Sequence, residues 1–358
     1  MKRVLAAVLA LAVVAGGTLT GCGEKEKTGK KDEKMSAAFI CANLGDKSFN
    51  DIAWEGFKKA ETELGMDIKV VEYGAEKSKM EPALVDVAEK YDIVAFEGGE
   101  FTEILEKHYE EFPDTKFVGF DIDPTYQVKM PNYFAINYMQ NQGDYLAGAL
   151  AAKMSQTGVI GFVGGAEVVV INDFLLGYVE GAQHADANVK VATAYIGDFV
   201  NSPKAKELTQ VQMTQGADVL HQVAGAAGLG LFEACAEKTG IWAIGVDADQ
   251  REYFAESNQK VADVILTSML KRNDIAIFNI LKETAEGKAQ YGTLKRWGVK
   301  EGVTVIVKND FYRQNVPQET QVYIDELEGQ IAAGEITMDT AYGMQQEQFI
   351  SIRESVKP

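Results

Sequence analysis

Histidine, cysteine and positive charge are all scarce in this 358-residue chain, and each scarcity removes a class of chemistry. Of the three histidines, His108, His184 and His221 stand far apart without ligand-type neighbours, and no His-Glu-x-x-His, Walker-type phosphate loop or nucleophile-elbow pattern occurs. Metal-dependent and hydrolytic chemistry are therefore disfavoured, and neither a metal nor a cofactor is expected. His221 falls in an apolar run and is expected to be a satisfied buried histidine. Lys and Arg number 35 against 53 Asp and Glu, a formal charge of -18. A surface of that sign repels phosphate backbones, so nucleic acid is not an expected partner, and a neutral or cationic solute suits it better than an anion. Beyond Met35 no apolar run approaches the ~20 residues that a membrane-spanning helix requires. Only three cysteines occur. Cys41, in an expected buried strand, and Cys235, on an expected helix, have no spacing that asks for a disulfide, and both are expected as buried thiols.

What is present begins with Met1-Lys2-Arg3 and an apolar run over residues 4–15, too short to span a bilayer. Leu19-Thr20-Gly21-Cys22 follows, in the order of a bacterial lipobox, whose cysteine is lipidated and becomes the new N-terminus. Residues 1–21 are thus expected to be an export signal and Cys22 a lipid anchor holding an extracytoplasmic body at the cell membrane. Loss of Lys2 and Arg3 would take the charge to roughly -20. Residues 22–35 are almost entirely polar and read as a flexible tether, because such a tract buries too little surface to offset its ordering entropy.

The remaining body, about 320 residues, is long for one core and suggests two domains. Short runs rich in Val, Ile and Phe occur at 37–42, 68–73, 93–96, 117–121, 159–163, 189–195, 219–224, 242–246, 261–267 and 303–307. They are continuous rather than alternating, as expected of parallel strands covered on both faces. Between them lie segments with apolar spacing near 3.6, such as Ile52, Trp54, Phe57, Ala60 and Leu64. Strand-helix alternation of this kind predicts an α/β fold with doubly wound sheets, in two successive sets divided near Asn137.

In such sheets ligands sit beyond the carboxyl ends of the strands. The loops there hold Asp46-Lys47-Ser48-Phe49-Asn50, Gly161-Phe162-Val163-Gly164-Gly165, Ala224-Gly225 onward and Gly245-Val246-Asp247-Ala248-Asp249-Gln250, with Thr267-Ser268-Met269-Leu270-Lys271-Arg272 further along. The glycines at 225, 228 and 230 reverse the spacing of a dinucleotide fingerprint and fit a tight turn better.

These segments, in this order from the lipobox to about Arg272, resemble the basic membrane protein family of lipoproteins, which includes purine nucleoside receptors similar to PnrA, the substrate-binding components of ABC importers. The resemblance implies a two-lobed type I periplasmic-binding-protein fold joined by three crossovers, a nucleoside in the cleft, and ABC permease subunits as partners. The lobes expected are residues 36–138 plus 270–290 and residues 139–269 plus 291–358. It also implies that Phe49 and Phe199 sandwich the base, that Asp121 contacts the base, and that Gly225, Asp247 and Lys271 hold the ribose. The chemistry agrees: aromatic faces stack a flat ring, and a carboxylate accepts both hydroxyls of a cis-diol. Asp46 belongs to the same motif and joins the ligand-binding candidates. The sequence departs from the family pattern at one point. An aspartate usual upstream of Ser-Phe-Asn is missing from Cys41-Ala42-Asn43-Leu44-Gly45, which leaves Asn43 or Asn50 as amides that both donate and accept.

Without the resemblance, Phe49 and Phe199 fit a hydrophobic core equally well, Asp121 and Asp247 fit helix N-caps, and Lys271 fits a solvated helix. A nucleoside-processing enzyme would need an activated water or phosphate site, for which no residue set is visible. A riboflavin receptor and a signalling subunit share the expected slot.

Overall fold

The computed structural model describes residues 34–74 and 76–358. The expected signal segment, Cys22 and nearly all of the tether lie outside the described residues. Among the described residues the chain forms two six-stranded sheets. The strands are β1 (Ser36–Cys41), β2 (Asp67–Glu72), β3 (Ile93–Glu97), β4 (Lys116–Phe120), β5 (Tyr133–Tyr138), β6 (Val159–Gly164), β7 (Lys190–Tyr195), β8 (Val219–Val223), β9 (Trp242–Asp247), β10 (Ile265–Lys271), β11 (Thr293–Trp297) and β12 (Thr304–Ile306). The first sheet runs β11-β5-β4-β3-β1-β2 and is parallel throughout. The second runs β12-β10-β9-β8-β6-β7, with β12 alone antiparallel.

Why these runs become strands is visible in β1. Ala37, Phe39 and Cys41 enter one apolar cluster, with Phe57 of helix α1 (Phe49–Leu64), while Ala38 and Ile40 enter another on the opposite face, with Leu84 and Phe101. Both faces are covered by helices, so every position must be apolar and the period-two pattern vanishes. The two free cysteines, Cys41 and Cys235, lie buried in separate clusters, and burial pushes both thiols well above their ordinary range. His221 is fully buried; its Nδ1 meets the Ile244 carbonyl and its Nε2 meets Asp144, each at 3.1 Å.

The chain leaves the first sheet after Tyr138, returns after Lys271, and crosses again between Trp297 and Thr304, which gives three crossovers. The expected lobe boundaries shift accordingly. Thr293–Trp297, expected in the second lobe, pairs with β5, and Leu270 and Lys271, expected in the first, complete β10 in the second sheet. The run expected at 261–267 is also displaced. Asn258 caps a short helix, Gln259–Ala262, and the strand begins only at Ile265.

The second lobe is built around a close helix pair, Gln140–Met154 and Val169–Ala185. A Cβ on Gly148, Gly177 or Gly181 would lie 2.0, 2.1 and 1.9 Å from the carbonyl oxygens of Tyr178, Asn141 and Tyr145, so these backbones touch only because side chains are absent. Gly181→Ala is expected to cost about 1 to 3 kcal/mol by forcing the helices apart. An unchanged urea midpoint would show that the pair can re-space freely.

Candidate functional site

In the first sheet the connections reverse direction between β1 and β3, and in the second between β6 and β8; such switch points open a crevice beyond the carboxyl strand ends. The loop leaving β1 is shaped by two carboxylates. Asp46 accepts the backbone N–H groups of Ser48 and Asn50 at 2.9 Å and of Asp51 at 3.2 Å, while Asp51 accepts those of Gly45 and Lys47 at 2.7 and 2.8 Å. This folds the loop onto the start of α1 and turns Ser48, fully buried, and Phe49, half-buried, inward. The Phe49 ring packs against Phe120, with centroids 5.6 Å apart.

Asp121 follows β4 and Asp247 ends β9, and both adopt left-handed backbone, φ 60° and 66°. That conformation is uncommon for residues with a Cβ and lets each strand turn sharply while its carboxyl stays at the strand tip. Lys271 ends β10 and is 1% exposed. Its ammonium meets Asp121 Oδ1 at 2.5 Å and stands 4.9, 5.0 and 5.2 Å from the ring centroids of Phe49, Tyr138 and Phe174. The charge is thus held by one carboxylate and three aromatic rings. Asp247 accepts a short hydrogen bond from Ser48 Oγ of the other lobe. Burial pushes the Asp247 carboxyl up to about 7, opposed by Lys271 and Ser48.

One more contact joins the lobes here: Gln250 Nε2 donates to the Lys47 carbonyl at 3.0 Å. Within the first lobe, Asn273 Nδ2 donates to the Phe49 carbonyl at 3.3 Å. Gln250 is in turn fixed by Gln222, the Val246 N–H and Ser268.

Of the residues expected from sequence, Phe49, Asp121, Asp247 and Lys271 come together. Asp121 and Asp247 accept no backbone N–H among the described residues, so neither is an N-cap, and Lys271 is on a buried strand rather than a solvated helix. Asn50 is partly buried, and its Oδ1 lacks a partner among the described residues; Asn43 is exposed. The Asp46 carboxylate is engaged by its own loop. Phe199 does not stack on Phe49: its ring lies over Gly165, where a Cβ would come within 2.3 Å of it, and the residue remains 41% exposed. Gly225, with φ 54°, sits beside the Phe199 carbonyl, which accepts the Ala227 N–H at 2.9 Å.

Residue-level reading passed over Glu97, Tyr138 and Phe174, and gave Ser48 and Gln250 no role of their own. Glu97 was detectable as an acidic residue at the tip of a buried strand. Phe174 carried no such signal, because it lies on a helix that only the tertiary fold brings to Lys271.

The Bmp family, described as ABC transporter substrate-binding protein PnrA-like, matches residues 34–337. The chain is 32% identical over 325 residues to basic membrane protein A1 of Borrelia garinii subsp. bavariensis, covering 88% of this chain and 90% of that protein. It is 29% identical over 357 residues to the ABC transporter nucleoside-binding protein BmpA of Lactococcus lactis subsp. cremoris, covering 94% and 99%. A solved ABC transporter solute-binding protein of Aeropyrum pernix K1 has the same fold, with a TM-score of 0.76 at 24% identity and coverage of 90% and 97%. The chain belongs to the Bmp family of PnrA-like ABC transporter substrate-binding proteins.

Proposed function

We propose that this protein captures a nucleoside, preferentially a purine nucleoside, between its two lobes and delivers it to permease subunits while anchored to the membrane by a lipid on Cys22. The observation that carries this reading is the convergence of Phe49, Asp121, Asp247 and Lys271 at facing strand ends. Phe49 offers a face for the base and Asp121 a base contact, Asp247 an acceptor for a ribose diol, and Lys271 a donor to the sugar hydroxyls. Phe199 and Gly225 complete the sugar and base walls in this reading, with Phe199 leaving Gly165 to close on the base; Asn50 is better placed than Asn43 to read the ring edge. That a similar protein of Lactococcus lactis is named as nucleoside-binding supports the ligand class. No catalytic step is part of this reading.

The test is native mass spectrometry of the purified chain, followed by calorimetry with nucleosides, bases and riboflavin. A purine nucleoside is expected to bind, and its 2′,3′-dideoxy form to bind more weakly by about 1 to 3 kcal/mol, because a buried acceptor is left unpaired. Binding of riboflavin alone would replace the nucleoside reading, and equal affinity for the deoxygenated sugar would remove Asp247 from the ribose.

A further inference from the structure

We infer that Glu97 is a specificity-determining residue of the interlobe site, presenting its carboxyl to an edge of the bound ring that carries one hydrogen-bond donor beside one acceptor. This rests on the interlobe ligand site proposed above. Glu97 is the last residue of β3, paired in register with Phe120 of β4, and so flanks the switch point between β1 and β3. Strand alternation places it on the face of Ile93 and Ala95, which is also the face of Cys41, Phe120 and Phe49. It precedes helix Gly98–His108, yet its side chain makes no cap hydrogen bond, and no donor reaches its carboxyl among the described residues. A carboxyl at the mouth of the crevice with neither structural hydrogen bond nor ion pair is available to a ligand.

Its surroundings determine which ligand edge it suits. Asp121 and Asp46 face it from the loops after β4 and β1, Asp247 and Lys271 face it from the ends of β9 and β10, and Tyr73 and Cys41 lie near it beyond β2 and on β1. Three carboxylates against one ammonium disfavour a further negative charge, and burial with the Asp121 charge pushes Glu97 up to about 8. Its protonated form is thereby favoured, a carboxylic acid with one O–H donor and one carbonyl acceptor. It pairs with an edge such as the adjacent N–H and C=O of a hypoxanthine. A guanine keeps that N–H and C=O and adds a second donor beside the N–H, and only the ionised form accepts both of those donors. A second orphan lies beside Lys271: Tyr138 is fully buried, in the field of Asp121, Asp274 and Asp247, and its hydroxyl has no partner among the described residues.

The experiment is calorimetry of the full chain with inosine and guanosine from pH 6 to 9, for the wild type, Glu97→Gln and Glu97→Ala. In the wild type, guanosine affinity is expected to rise relative to inosine as pH increases through about 8. Glu97→Gln keeps a donor and an acceptor, so it should bind inosine within a few-fold of wild type and flatten the pH dependence. Glu97→Ala should lose roughly tenfold or more in inosine affinity. Thermal melts of both variants separate misfolding from lost recognition. An inosine-to-guanosine ratio that is the same in all three proteins and constant with pH would overturn the assignment while leaving nucleoside capture intact; absence of any nucleoside binding by the wild type would instead remove the reading on which it rests.

Discussion

Replacing Lys271 with methionine is expected to lower stability at pH 8 by about 3 to 5 kcal/mol, with a much smaller loss near pH 5. The ammonium is buried, is paired with Asp121 at 2.5 Å, and opposes the protonation of both Asp247 and Glu97. Methionine fills nearly the same volume, so packing changes little. What changes is charge: a group of carboxylates is left without a cation and can only be relieved by taking up protons. The folded state then binds more protons than the unfolded one, and stability falls as pH rises. Below about pH 5 the unfolded chain takes up those protons as well and the difference fades. Urea denaturation at the two pH values is the measurement, and an equal loss at both would show that Lys271 contributes through packing alone.

The wild-type protein should itself be most stable on the acidic side of neutrality. Burial raises Asp247 to about 7, Glu97 to about 8, Asp173 to about 6 and Glu180 to about 7. Asp173 and Glu180 accept hydrogen bonds from the Asp339–Ala341 backbone and the Thr340 hydroxyl, so the cost of desolvation is placed where the C-terminal segment docks as well as in the cleft. Each of these groups has a folded value above its unfolded one. Its contribution is fully present below about pH 4 and is lost as pH rises through 6 to 8. One unit on one group is worth about 1.4 kcal/mol, so four groups shifted in this direction predict a fall of at least a few kcal/mol between pH 5 and 9. General repulsion in a chain of charge -18 acts in the same direction. Asp247→Asn separates the two causes, because it removes one buried titration and leaves the surface unchanged apart from that site. A melting temperature as high at pH 9 as at pH 5 would contradict the argument, and an Asp247→Asn variant with an undiminished pH slope would assign the slope to surface charge.

The strands that could be read from sequence are those whose apolar runs are long and covered on both faces, β1, β3, β6 and β8 among them. β11 was not readable, because Thr293–Trp297 contains Lys295 and Arg296 and lies half-exposed at the sheet edge, where covered faces no longer impose apolarity. β5 is buried throughout, but Tyr133, Asn137 and Tyr138 interrupt its aliphatic pattern. The third crossover was misplaced for the same reason, since it follows a strand that carried no signal.

Sequence by itself determined the α/β class, the two-lobed plan, the family and the loops in which a site would lie, because burial on both faces of a sheet leaves a chemical record in every strand and motif order survives in the chain. Only the tertiary structure decided which residues of those loops meet. It joined Lys271 to Asp121 and Ser48 to Asp247 across the lobes, engaged Asp46 in shaping its own loop, placed Phe199 on Gly165, and exposed Glu97 as a carboxyl without a partner. Such pairings depend on where two separately wound sheets stop and how their ends face each other, and no local run of residues encodes that distance.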